Sequence, residues 1–111
     1  MKERFVHVGF MFPGVPKMRD LEPSFYKIGD WVRYSQTSWI VWTSLETQEM
    51  LRILVAALDK SDNLLITSLT GTDFMGVLPI WVWDWIRSKG PNIVTDAEQD
   101  AFFKALSGSE A

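Results

Sequence analysis

Between Trp31 and Leu69 the apolar residues change their spacing twice. Trp39-Ile40-Val41-Trp42-Thr43 is a β-rich run, and Met50, Leu51, Leu54, Val55 and Leu58 then recur at helical spacing. Leu64-Leu65-Ile66-Thr67-Ser68-Leu69 returns to a β-rich run. The pattern predicts strands over Asp30–Ser35 and Thr37–Thr43, a helix over Leu45–Leu58 and a strand over Asn63–Leu69. Thr43-Ser44-Leu45-Glu46 has the form of a capping box for that helix, hydroxyl first and carboxylate three residues later. Asp59 to Asn63 is the polar turn after it.

Upstream, Arg4 to Phe12 is rich in β-branched and aromatic residues and stops at Pro13-Gly14, which predicts a central strand with two apolar faces. Leu21, Phe25 and Ile28 have helical spacing and Gly29 is a stop signal, so a helix is expected over Asp20–Ile28 with Pro23 in its first turn. A proline placed deeper would shorten or kink it. The order is β-α-β-β-α-β. Two βαβ halves joined by antiparallel pairing make a ferredoxin-like α+β sandwich, with both helices on one face of a four-stranded sheet.

Residues 72–106 read as a C-terminal helical appendage to a core of residues 4–71, the whole forming a single domain over 1–111. Pro79 to Arg87 fits two templates. As a helix it places Leu78, Trp81, Val82, Trp85 and Ile86 on one face and Pro79 in its first turn; as a strand it lines up Trp81, Trp83 and Trp85. The apolar repeats at three and four favour the helix. Lys89-Gly90-Pro91 is a break, Thr95-Asp96-Ala97-Glu98 opens a helix to Leu106, and Ser107 to Ala111 is expected to fray.

At 111 residues, 47% hydrophobic and 23% charged, the chain is of globular composition. It has no cysteine, which excludes disulfides, thiolate catalysis and cysteine-ligated zinc and agrees with a cytoplasmic setting. A net charge of −3 with scattered Lys and Arg opposes a strong phosphate-neutralising interaction with nucleic acid. No apolar run is long enough to span a membrane, and the first residues lead straight into a strand pattern rather than a signal peptide.

His7, the only histidine, lies in an apolar strand and reads as a hydrogen-bonded structural residue. Asp59, Asp62, Asn63 and Asp73 offer oxygen atoms, but Asp59 to Asn63 lacks the glycine and closing glutamate of a calcium loop. No catalytic, metal-binding or cofactor-binding residue is assigned. Of the six tryptophans, Trp39, Trp42, Trp81, Trp83 and Trp85 are the interface candidates. Alternation sends Trp39 to one sheet face and Trp42 to the other, so one of them lies on the face without helices. Trp81, Trp83 and Trp85 span about 200° of a helix, so one of them, Trp83, is expected off its core face.

Ile28-Gly29-Asp30-Trp31, Ser38-Trp39-Ile40-Val41, Leu45, Asp62-Asn63-Leu64-Leu65-Ile66 and Leu69-Thr70-Gly71 follow one another in an order and spacing that resembles the SinR-like proteins. These are small ferredoxin-fold proteins related to the CRISPR-associated nuclease-like subunit and to VapD-type toxin ribonucleases. The resemblance covers residues 4 to 71 and is a diffuse pattern rather than a catalytic signature. It implies the fold and a setting near bacterial or phage nucleic-acid defence. Nuclease-like relatives carry an aspartate at the end of the first strand, where this chain has Phe10-Met11-Phe12. A thioether is a poor magnesium ligand. The expectation is a non-enzymatic interaction module that forms a homodimer or docks on another protein through an edge strand and the tryptophan-rich C-terminal segment; the alternative is a ribonuclease or nucleic-acid-binding protein without the usual metal aspartate.

Overall fold

The computed structural model describes residues 2–14, 18–69 and 74–89, with residues 18 and 19 described by their backbone alone. The expected helix to Leu106, the frayed end after it, the Gly90-Pro91 break and Asp73 lie outside the described residues. The chain divides into two compact units, Met1–Gly71 and Thr72–Ala111.

The first unit runs β1 (Arg4–Met11), α1 (Met18–Ile28), β2 (Asp30–Ser35), β3 (Ser38–Thr43), α2 (Thr47–Val55) and β4 (Asn63–Ser68). The sheet order is β2-β3-β1-β4, and each neighbouring pair is antiparallel. β1 and β2 therefore run the same way on either side of β3, and β3 and β4 run the same way on either side of β1. These are two interleaved βαβ halves, the ferredoxin-like α+β arrangement.

Alternation along the strands builds the core. Val6, Val8 and Phe10 of β1 and Trp39 and Val41 of β3 turn to one face, where they meet Leu21, Phe25 and Ile28 of α1 and Met50 and Leu54 of α2. Trp39 stacks flat on Phe25, with ring centroids 4.6 Å apart and planes at 6°. Phe10 meets Trp39 edge-on at 5.2 Å. Large aromatic rings in offset or edge contact carry much of a small core.

Three local features differ from the sequence pattern. α1 starts at Met18, so Pro23 lies inside the helix rather than in its first turn. Proline offers no N–H to the carbonyl four residues back, yet the helix continues to Ile28 because Leu21, Phe25 and Ile28 are all buried. α2 is shorter than the apolar repeat at both ends, and Thr43 to Glu46 is not its capping box. Thr43 is the last residue of β3; its buried hydroxyl donates to the Ile28 carbonyl at 2.5 Å and accepts from the Leu45 N–H at 3.0 Å. The end of α1 leaves carbonyls without helical donors, and Thr43 satisfies one of them. Glu46 is the N-cap of α2 and makes no side-chain cap bond.

In the second unit, residues 80–89 form a helix, α3 (Ile80–Lys89), entered from Pro79, whose carbonyl accepts from the Val82 N–H at 3.0 Å. Trp83 was expected off the core face, but it is buried, and Trp81 is the exposed one at 53%. Ile80 to Trp83 are all apolar, so periodicity alone does not select which side is covered. No helix among the described residues is long and apolar enough to cross a membrane.

Gly29 joins α1 to β2 with φ +155°, and a Cβ built there would lie 2.3 Å from the Trp42 carbonyl oxygen. Both the backbone angle and the close approach require glycine. Gly29→Ala is expected to destabilise the protein by about 2–4 kcal/mol, read as a lower urea midpoint with an unchanged slope.

Candidate interaction surface

Among the described residues the sheet has two edges, β2 and β4, and they are built differently. β2 carries two charges, Asp30 and Arg33, and its register shifts between Arg33 and Ser35. Charges and a bulge are the usual devices that stop another strand from pairing with an edge. β4, Asn63-Leu64-Leu65-Ile66-Thr67-Ser68, has no charge, no proline, no glycine and no register shift against β1.

Backbone directions along β4 follow from one bond beyond its end. The Leu69 N–H donates to the Phe5 carbonyl at 2.9 Å. In an antiparallel ladder, alternate residues face the same neighbour. Asn63, Leu65 and Thr67 thus turn their peptide groups to β1, and Leu64, Ile66 and Ser68 turn theirs outward. The side chains of Leu64 and Ile66 pack against the core beneath the helices. Leu65 points to the opposite face and is 70% exposed.

The exposed apolar side chains gather at this edge. Among the described residues of the first unit, Met11, Tyr26, Leu51, Val55 and Leu65 are the exposed large hydrophobics. All but Tyr26 border β4. Met11 pairs with Asn63 in the ladder and so neighbours Leu65 diagonally. Leu51 and Val55 stand one turn apart on α2 and line, with Leu64, an open hollow of about 400 Å³. A second hollow of about 280 Å³ lies between Leu51 and residues 64–66, and a third of about 280 Å³ lies along Gly9 to Met11. Contiguous exposed apolar surface of this kind marks places where proteins meet.

The tryptophans singled out from sequence are dispersed. Trp39 is fully buried under the helices, and Trp83 is 1% exposed, so neither offers a surface. Trp42 lies on the helix-free face, half-buried, with its ring 4.6 Å from Phe5. Trp81 is exposed and Trp85 half-buried on α3, where Lys89 Nζ lies 5.6 Å from the Trp85 ring. Sequence reasoning did not single out Leu65 or the surface role of Met11, and it placed Leu51 and Val55 in the apolar repeat of the helix, where the structure leaves them exposed. The one sequence signal for Leu65 was the uncharged run from Asn63 to Leu69, and nothing in it says that the strand is an edge.

The polar candidates are structural. The Asp62 carboxylate accepts from the Asp59 N–H at 2.8 Å and the Asp62 N–H donates to the Asp59 carbonyl at 3.1 Å, which closes the turn before β4. Among the described residues, no three His, Cys, Asp or Glu side chains gather as a metal cluster would. His7 sits on the helix-free face, half-buried, and its Nε2 shares a hydrogen bond of 2.5 Å with the Tyr34 hydroxyl. Burial lowers its pKa from the ordinary 6.5, because a desolvated imidazole resists charging.

No family model matches this chain, and no curated protein matches it. Among solved structures it is similar to the hypothetical protein TT1823 from Thermus thermophilus, at 21% identity and a TM-score of 0.50. The match covers 69% of this chain and 95% of that one. At that identity the likeness shows a shared fold.

The His7 pKa sets a direction for stability. Above the ordinary value the imidazole is neutral in both folded and unfolded chains. As pH falls, the unfolded chain binds the proton first, so stability is lost until the lowered folded pKa is passed. His7→Gln is expected to lose less melting temperature than the natural protein between about pH 7.5 and about pH 5. The lone imidazole signal should titrate with a midpoint below 6.5 in a proton NMR series.

Proposed function

We propose that this protein is a non-enzymatic interaction module that works by strand addition at the β4 edge, joining a second copy or another protein chain. The observation that carries the reading is the contrast between the edges: β2 is charged and bulged, whereas β4 is uncharged and regular. Strand addition supplies affinity through main-chain hydrogen bonds and specificity through alternate side chains. The outward peptide groups of Leu64, Ile66 and Ser68 supply the first, and Leu65, Met11, Leu51 and Val55 supply the second.

The SinR-like resemblance supports a setting near bacterial or phage nucleic-acid defence, and the lack of cysteine agrees with a cytoplasmic location. Met11 stands where nuclease-like relatives have their aspartate, and it is exposed. In that position it serves a hydrophobic contact better than it would serve a hard cation.

Light scattering on the full chain across the micromolar range tests the reading. The natural protein is expected to self-associate, and Ile66→Pro to remain monomeric with its sheet content intact. Proline deletes an N–H that faces away from β1, so it blocks an added strand and spares the existing ladder. Magnesium-dependent cleavage of RNA or DNA that Asp30→Ala or Asp62→Ala abolishes would replace this reading with the nuclease one.

A further inference from the structure

We infer that the occupant of the β4 edge is β4 of a second copy, antiparallel, with a two-fold axis passing through Leu65. The inference rests on the strand-addition reading and adds the partner and the register.

The alternation of peptide groups limits the registers. Across a new antiparallel ladder, residues that turn outward must oppose residues that turn outward. Leu64, Ile66 and Ser68 turn outward on each copy. The two-fold axis must then pass through a residue rather than between two, and the centre of the six-residue strand leaves Leu65 or Ile66.

Side-chain chemistry separates these. With the axis at Leu65, Leu65 opposes its own counterpart, Leu64 opposes Ile66, and Asn63 opposes Thr67. Apolar meets apolar and polar meets polar on both faces. With the axis at Ile66, Leu65 opposes Thr67 and Leu64 opposes Ser68, so two leucines face hydroxyls. Cross-strand pairs are the unit of sheet stabilisation, and matched pairs are favoured. The strand is self-complementary about Leu65, and this selects a second copy over an unrelated chain.

The surroundings extend the contact. At the Leu65 axis the opposed leucines form a non-hydrogen-bonded pair, the closer kind, in which a large exposed apolar side chain becomes covered. Met11 adjoins that pair on the same face. On the other face Leu51 and Val55 of α2 flank the edge and meet the same residues of the second copy across the axis. A single strand pair is narrow, and these flanks widen the contact on both faces. No charged residue lies within β4, so none is brought against its like in the new ladder.

The chain has no cysteine, so single substitutions report the register. Opposed residues of a non-hydrogen-bonded pair have Cα atoms about 4.5 Å apart, within reach of a disulfide. Ile66 and its counterpart are offset along the strands by two residues, at about 8 Å, beyond that reach. Under mild oxidation, Leu65→Cys is expected to form a covalent dimer at least about tenfold faster than Ile66→Cys. Leu65→Lys, which sets like charges opposite each other, is expected to raise the dimer dissociation constant about tenfold or more with its circular dichroism unchanged. Faster linkage by Ile66→Cys, linkage by neither variant, or an unchanged constant in Leu65→Lys overturns the Leu65 axis and leaves strand addition standing if the natural protein still dimerises. A natural protein that is monomeric at every concentration overturns the second-copy proposal and leaves strand addition to a different chain, for which Ile66→Pro remains the probe.

Discussion

The contact between Trp39 and Phe25 orders the first unit. The two rings lie almost parallel, with Phe10 against the edge of the stack. This ties β3 and β1, the two inner strands, to α1. Val6, Val8, Val41, Leu21 and Leu54 close around it with no exposure. Interiors are packed like organic crystals, so a large flat stack fixes the places of its neighbours. Once both helices are held on one face, Thr43 is drawn under the end of α1 and Gly29 against the Trp42 carbonyl.

The same packing produces the asymmetry of the edges. The interleaved halves place the second and fourth strands on the outside. At β2 the edge is protected by Asp30, Arg33 and the register shift, and Tyr34 reaches across the sheet to His7. β4 itself carries no charge, no proline and no register shift, and α2 lies beside it with Leu51 and Val55 exposed. An edge strand presents unpaired peptide groups, and proteins that do not use such an edge blunt it. The aspartates near β4 close its preceding turn through Asp62, which keeps their charge outside the strand.

The likeness to the Thermus thermophilus protein agrees with this architecture and goes no further than the fold. A ferredoxin-like sheet hosts many activities, so function has to be argued from side chains. Here exposed apolar side chains border β4, His7 is bonded to Tyr34, Asp62 to Asp59, and Trp39 is buried under the helices.

Most of the fold was legible in the order of residues. Alternation in Val6-His7-Val8-Gly9-Phe10 and Trp39-Ile40-Val41, and helical spacing in Leu21, Phe25 and Ile28, are local and follow from backbone geometry. They determined the strands, the helices and the ferredoxin-like order. The hydroxyl of Thr43 was misread because its acceptor, the Ile28 carbonyl, is brought to it by folding rather than by neighbourhood in the chain. Trp83 was misplaced because α3 is apolar on several sides and only packing chooses the covered one. The uncharged strand Asn63–Ser68 was visible from the start, but its position as an edge was decided by the tertiary structure. Whether a strand has one neighbour or two depends on contacts between distant segments, and no local pattern carries that information.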